Sequence, residues 1–275
     1  MRSYLFIILA LAMMACQKEA KLTPGDDYDS PYKLPQGNTV ADDTIMSIHA
    51  KFGTYILYRF SQADYAYDYS RMRQDSAFNA NPAYIDTALN FFRNQLMAYY
   101  PDSFLHKTMP LKVLLASRVT AVNSSGNIPI GFASTASMFA IGWADSTLVR
   151  LTPQETRKLR GQLHHYYWER AYRTRSIEIP SAFVQLSPTE YGTLNLQNRY
   201  QFGVVADVFG SALNMAEDFM SYIDMITCHS TAELEADYFR PDIDTKGLIR
   251  QKYNVIINYY KTEYGVDLQA IGDLP

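Results

Sequence analysis

The stretch that decides the fold runs from Thr152 to Arg173 and reads TPQETRKLRGQLHHYYWERAYR. Its first four residues, Thr152-Pro153-Gln154-Glu155, have the form of a capping box with proline at the first helical position. Apolar residues then recur at Leu159, Leu163, Tyr167 and Ala171, a helical spacing. Residues four apart share one face of a helix, so His165 and Glu169 stand one turn apart as neighbours. A histidine and a carboxylate at that spacing suit a hydrogen-bonded pair inside a helix-packed core, with metal ligation as the alternative. His164 and Glu155 read as ordinary packed or solvated residues.

Upstream of this helix the signals are mixed. Ile45, Ile48 and Phe52 follow Asp42-Asp43 at helical spacing over 41–52. Thr54 to Phe60 is aromatic and β-branched, the composition of a strand. Pro82 opens a second helix through Tyr84, Ala88, Phe91, Phe92, Leu96 and Tyr99, which Pro101 stops. Leu111 to Ser117 is a short apolar run with the length of a buried strand. Asn123-Ser124-Ser125-Gly126 is a turn, and 131–143 holds one or two further strands. From Thr152 to Tyr264 the pattern is mostly helical. A small sheet followed by a mostly helical C-terminal part is an α+β arrangement. No internal repeat is visible.

The N-terminus carries a separate message. Arg2 precedes an apolar run from Leu5 to Ala15, too short to span a bilayer and matched to a signal-peptide core. The run ends Ala12-Met13-Met14-Ala15-Cys16, which resembles the lipobox of bacterial lipoproteins. That resemblance implies removal of residues 1–15 and a lipid on Cys16, against the alternative of an uncleaved signal anchor. Residues 16–40, with Pro24, Pro31, Pro35, Gly25 and Gly37, then form a flexible tether, and 41–275 the folded domain. Gln17-Lys18-Glu19 resembles the short polar export signal of Bacteroidetes surface lipoproteins. The expected location is the outer membrane, lipid-anchored and surface-exposed. The only other cysteine is Cys228, so the domain folds without an internal disulfide. A net charge of −3 with no Lys/Arg cluster argues against a nucleic-acid partner. Among 22 tyrosines, Tyr65, Tyr67 and Tyr69 alternate with Asp64 and Asp68. On a strand they would share one face, a candidate ligand-binding surface, with a self-packed loop as the alternative.

Several segments together resemble the zinc-binding metallopeptidase lipoproteins of Bacteroidetes, themselves similar to gluzincins. Phe52 to Phe60 resembles that family's aromatic strand. The 163–169 segment stands where the family has H-H-E-F-A-H. Phe202-Gly203-Val204-Val205 and Ala216-Glu217-Asp218-Phe219-Met220-Ser221 resemble its Gly-Phe-Val and E-D-F-A-E segments. Lys252 to Tyr260 and Tyr264-Gly265-Val266-Asp267-Leu268 resemble its last helix and ending. The resemblance spans 42–271 and implies a zincin-like metallopeptidase scaffold. In H-E-x-x-H the two histidines hold zinc and the glutamate is the general base.

Carried over position by position, the chain departs from that pattern where the chemistry lies. His165 takes the place of the first zinc histidine and Glu217 that of the third ligand. Tyr166 stands in the general-base position, Glu169 in that of the second histidine, and Ser221 in that of the second motif glutamate. The histidines are 49, 106, 164, 165 and 229, and no register yields H-E-x-x-H; starting from His164 puts Trp168 at a ligand position. His165, Glu169 and Glu217 remain as a vestigial metal set with more negative charge than a zincin's. A tyrosine, with an ordinary pKa of about 10, is a poor base near neutrality. No cofactor is therefore expected, with zinc as the one candidate. The resemblance implies an inactive, surface-exposed accessory to a SusC/SusD-type importer of peptides or glycans. The competing expectation is an active zinc peptidase with a non-standard ligand set. A glycosidase using Glu217 and Asp218 is disfavoured, since adjacent helical residues point about 100° apart.

Overall fold

Helix α1 (Val40–Phe52) starts at Thr39, whose N–H and hydroxyl donate to the Asp42 carboxylate at 2.9 and 2.8 Å. It stops at Gly53, whose left-handed backbone (φ 70°) turns its N–H back to the His49 carbonyl. The structure, a computed structural model, describes residues 32–66, 75–123 and 126–275. Residues 34–275 form one folded unit. Gln36 helps to pin that start, accepting from the N–H groups of Tyr58 and Arg59 and donating to the Arg59 carbonyl. Cys16, the signal segment 1–15, Tyr67 and Tyr69 lie outside the described residues.

Strand β1 (Tyr55–Leu57) and helix α2 (Gln62–Ala66) precede strand β2 (Ser76–Asn79). Helix α3 (Ile85–Gln95) and helix α4 (Asp102–Thr108) follow. Strand β3 (Lys112–Asn123) extends past the expected 111–117 and organises the sheet. The remaining strands are β4 (Gly126–Pro129), β5 (Phe132–Ser134) and β6 (Met138–Ile141). The first part of β3 lies between β1 and β6 and is parallel to both, with Val113 opposite Ile56 and Phe139. Its later part pairs antiparallel with β2 and β4, and β5 closes antiparallel on β6. Val113, Leu114, Leu115 and Ala116 are fully buried, as a central strand covered on both faces requires.

The helical part begins with α5 (Pro153–Arg173). Thr152 and Glu155 form the expected reciprocal cap: the Glu155 N–H donates to the Thr152 hydroxyl (3.2 Å), and the Thr152 N–H to the Glu155 carboxylate (2.8 Å). After α6 (Ser181–Leu186), an irregular stretch packs its own small core of Leu194, Val204, Ala206 and Leu213. Helices α7 (Met215–Cys228), α8 (Thr231–Asp237), α9 (Leu248–Tyr264) and α10 (Leu268–Gly272) complete the chain. The main core lies where α5 packs on the sheet, α7 and α9, around Leu163, Tyr167, Trp168, Phe219, Ile223 and Tyr260.

Two buried arginines bolt α5 in place. Arg160 Nε donates to the Thr227 carbonyl at 3.1 Å, and Arg170 Nη1 to the Thr108 carbonyl at 2.7 Å. Between them Gly161 lets α7 approach. A Cβ there would stand 2.2 Å from Asp224 Oδ1 and 2.8 Å from Cys228 Cβ.

Candidate functional site

His164 and His165 are adjacent on α5 and meet opposite fates. His164 is fully buried. Trp168 Nε1–H donates to the Tyr100 hydroxyl (2.6 Å), which donates to His164 Nδ1 (2.5 Å), and His164 Nε2–H donates to the Gln95 carbonyl (2.9 Å). Burial holds the imidazole neutral, with its pKa pushed down to about 3. This histidine is a structural element of the core. Glu155 is the exposed cap of α5.

His165 faces a cleft of about 490 Å³ between α5, α7 and the segment around Asp207. Asn214 caps α7 by accepting from the N–H groups of Ala216 and Glu217. That cap sets Glu217 in the first turn, and its Oε2 lies 3.7 Å from His165 Nε2. Burial disfavours the charged form of both groups. It lowers His165 to about 4, and it raises Glu217 to about 7 with help from the Glu169 carboxylate. Near neutral pH the pair is thus a neutral imidazole beside a carboxyl that readily holds a proton.

Glu217, Ser221, Asp224 and Cys228 form one stripe of α7 along the cleft. Burial raises Asp224 to about 6. The Cys228 thiol is driven up by burial and by Asp224, and its Sγ lies 3.0 Å from His229 Nδ1. Asp207 and Asp224 line the cleft as well, beyond the residues expected from the sequence. Asp224 lies seven residues from Glu217, two turns along the same face, a signal present in the sequence. Asp207 arrives from an irregular segment with no local pattern.

The other expected residues divide. Glu169 is close enough to raise the Glu217 pKa, but its carboxylate is held by Arg173 at 3.4 Å and it does not line the cleft. Tyr166 packs its ring 5.6 Å from Phe132 and 5.1 Å from His165. Burial raises its pKa, so the phenol keeps its proton and is no base. Tyr65 is a correction to the proposed stacking surface. It lies on a helix, not a strand, and is fully buried with its hydroxyl 2.6 Å from Asp75. A ring covered by core atoms has no face left for a ligand.

The segments around Gly203, Asp218 and Lys252 meet behind the cleft. Lys252 Nζ lies 2.6 Å from Asp218 Oδ2 and 2.9 Å from the Gly203 carbonyl, with both charged side chains fully buried. The Tyr191 hydroxyl donates to the same Asp218 oxygen (2.8 Å), and the Tyr222 hydroxyl to the Gly203 carbonyl (2.8 Å). Burial raises the Asp218 carboxyl and lowers the Lys252 ammonium, and each offsets part of that cost for the other. Gly203 is left-handed (φ 64°), and a Cβ there would meet Leu248 Cβ at 2.8 Å. This knot sets the start of α7, and hence Glu217, against α9.

A helix-borne histidine, His165, thus faces the Glu217 carboxylate of a second helix, beside a small mixed sheet. Residues 50–269 match the family described as "Putative zinc-binding metallo-peptidase", and the chain belongs to that family. The crystal structure of a "putative zinc-binding metallo-peptidase" from Bacteroides caccae has the same fold. It aligns with a TM-score of 0.56 at 12% identity, over 84% of this chain and 88% of that one. No curated protein matches.

The residues present do not complete the zinc site the family implies. Zinc sites of this kind use three protein ligands and an open position, with bonds of about 2.0–2.2 Å to nitrogen and oxygen. His165 and Glu217 stand at a separation two ligands of one ion could share. The third donor is missing: Glu169 is turned to Arg173, and among the described residues no three His, Cys, Asp or Glu side chains come together as a metal site.

Proposed function

We propose that this chain is a non-catalytic member of its family, a surface lipoprotein whose cleft between α5 and α7 binds a ligand without cleaving it. The observation that carries this reading is Tyr166, a half-buried phenol held in its protonated form where a peptidase needs a carboxylate base. General-base assistance contributes roughly 10²–10⁴-fold to such reactions. The incomplete ligand set removes the activated water as well. The lipobox at Cys16 and the polar residues after it support a lipid-anchored place on the outer membrane. There the domain serves as an accessory to a SusC/SusD-type importer of peptides or glycans.

Purified protein tests this directly. We expect substoichiometric zinc by elemental analysis and no chelator-sensitive peptide cleavage. The double variant Tyr166→Glu/Glu169→His recreates H-E-x-x-H on α5. It should acquire zinc through His165, the histidine introduced at position 169, and Glu217. Stoichiometric zinc together with chelator-sensitive cleavage in the unaltered protein would overturn the reading. That outcome belongs to the second reading, an active peptidase using His165, Glu169 and Glu217, which the retained 3.7 Å approach of His165 and Glu217 favours. The partnership is tested by pull-down of the lipidated protein. Recovery of the protein without an outer-membrane transporter counts against it.

A further inference from the structure

At the far end of α5, away from His165, a second cavity of about 480 Å³ is lined by Lys107, Tyr172, Arg173, Arg175, Glu178 and Tyr264, with Ser176 and Ile177. Its size suits a small ligand. Three cations and one carboxylate surround it. The carboxylate is already engaged, since Glu178 Oε1 accepts from the Tyr259 hydroxyl at 2.5 Å.

The cations differ in how well the fold accounts for them. Lys107 and Arg173 lie in the last turns of α4 and α5, where helix carbonyls favour positive charge. Arg173 also pairs with Glu169. Arg175 has no such account. It lies beyond the helix with φ 59°, the only non-glycine residue at positive φ among the described residues. The helix ends in a Schellman-type turn, with Arg175 N–H to the Tyr172 carbonyl and Ser176 N–H to the Ala171 carbonyl, both 2.8 Å. Glycine is the usual residue at that position because a Cβ there is strained. Here the strained position carries a guanidinium with no carboxylate partner among the described residues, in the lining of a cavity. Strain held at one residue is a pointer to function when the side chain it presents has a use.

We infer that this cavity is a binding site for a small carboxylate ligand, with Arg175 as its fork-shaped recognition group and Lys107 as a second cation. A guanidinium pairs with a carboxylate through two parallel N–H···O bonds. The Lys107 ammonium lies 4.9 Å from the Tyr264 ring centre, which holds it at the cavity wall. A free peptide C-terminus and a uronic sugar both present this chemistry. The site is independent of the cleft at His165.

Calorimetry on the purified full chain with dialanine, dialanine amide and digalacturonate tests the inference. We expect at least one of the two acids to bind with a Kd below about 1 mM, and the amide at least tenfold more weakly than dialanine if dialanine is the acid that binds. Binding of dialanine alone assigns the site to peptide termini, and binding of digalacturonate alone to acidic sugars. The control for folding is built into the position. Arg175→Gly should melt at or above the temperature of the unaltered protein while weakening the acid at least tenfold, and Arg175→Lys should keep part of the affinity. No binding of either acid, equal binding of dialanine and its amide, or unchanged affinity in Arg175→Gly would each overturn it.

Discussion

Replacing Lys252 by methionine leaves the Asp218 carboxylate buried with only hydroxyl donors, Tyr191 and Ser187, and no cation. The two side chains are fully buried and 2.6 Å apart, so neither solvent nor salt can stand in for the lost partner. Removing one member of a buried pair costs about 3–5 kcal/mol, because the other charge is left uncompensated. The Gly203 carbonyl also loses its ammonium donor, although the Tyr222 hydroxyl still reaches it. Methionine fills a similar volume, so the packing over Phe183, 4.4 Å from Nζ, is largely kept. For a unit of this size each kcal/mol shifts the melting temperature by about 2–4 °C. The expected drop is therefore about 6–20 °C. Urea unfolding followed by circular dichroism gives the free energy, and thermal melts give the shift. The double variant Lys252→Met/Asp218→Asn removes the orphaned charge and should recover about 1–3 kcal/mol of the loss. A single variant that loses less than about 1 kcal/mol, or a double variant less stable than the single one, would refute the reasoning.

Three further outcomes follow from the same geometry. Gly161→Ala should destabilise by about 1–3 kcal/mol through overpacking, although alanine favours an isolated helix, because the new Cβ meets Asp224 at 2.2 Å. Equilibrium unfolding checks it, and a stabilised variant would show that α5 and α7 are not packed as described. The Glu217 carboxyl, raised from 4.5 to about 7, binds a proton in the folded state that the unfolded state lacks over that interval. Its contribution to stability is therefore present at low pH and lost as pH rises toward neutrality. Glu217→Gln cannot titrate, so its stability relative to the parent should improve by roughly 1–2 kcal/mol between acid and mildly alkaline pH, with solvent screening allowed for. A pH-independent difference would count against the shift. Arg175→Gly, besides losing the carboxylate ligand, should gain about 0.5–1 kcal/mol from relief of its left-handed backbone.

Much of the local structure was legible and some of its limits were not. The second helix shows this. Its apolar spacing continues through Leu96 to Tyr99 and no proline intervenes before Pro101, yet α3 ends at Gln95. The Gln95 carbonyl accepts from His164, and the Tyr99 N–H turns to Leu96 in a tighter turn. A contact from a helix far along the chain ends α3 where the sequence carries no stop signal. β3 errs in the other direction. Its apolar run stops before Arg118, but pairing with β2 and β4 extends the strand to Asn123. Pairing depends on neighbouring strands, and hydropathy records only burial.

The sequence by itself determined α5, its cap, the shared face of His165 and Glu169, and the lack of H-E-x-x-H in any register. Those properties depend on spacing within a few turns of one helix. Only the tertiary structure decided that Glu217 meets His165 while Glu169 turns to Arg173, that Tyr65 is buried, and that Lys252, Asp218 and Gly203 form one knot behind the cleft. The physical reason is that burial and partner choice are set by contacts between distant segments. The same carboxyl that is an ordinary acid on an exposed helix holds its proton to about pH 7 once α5 and α7 close around it.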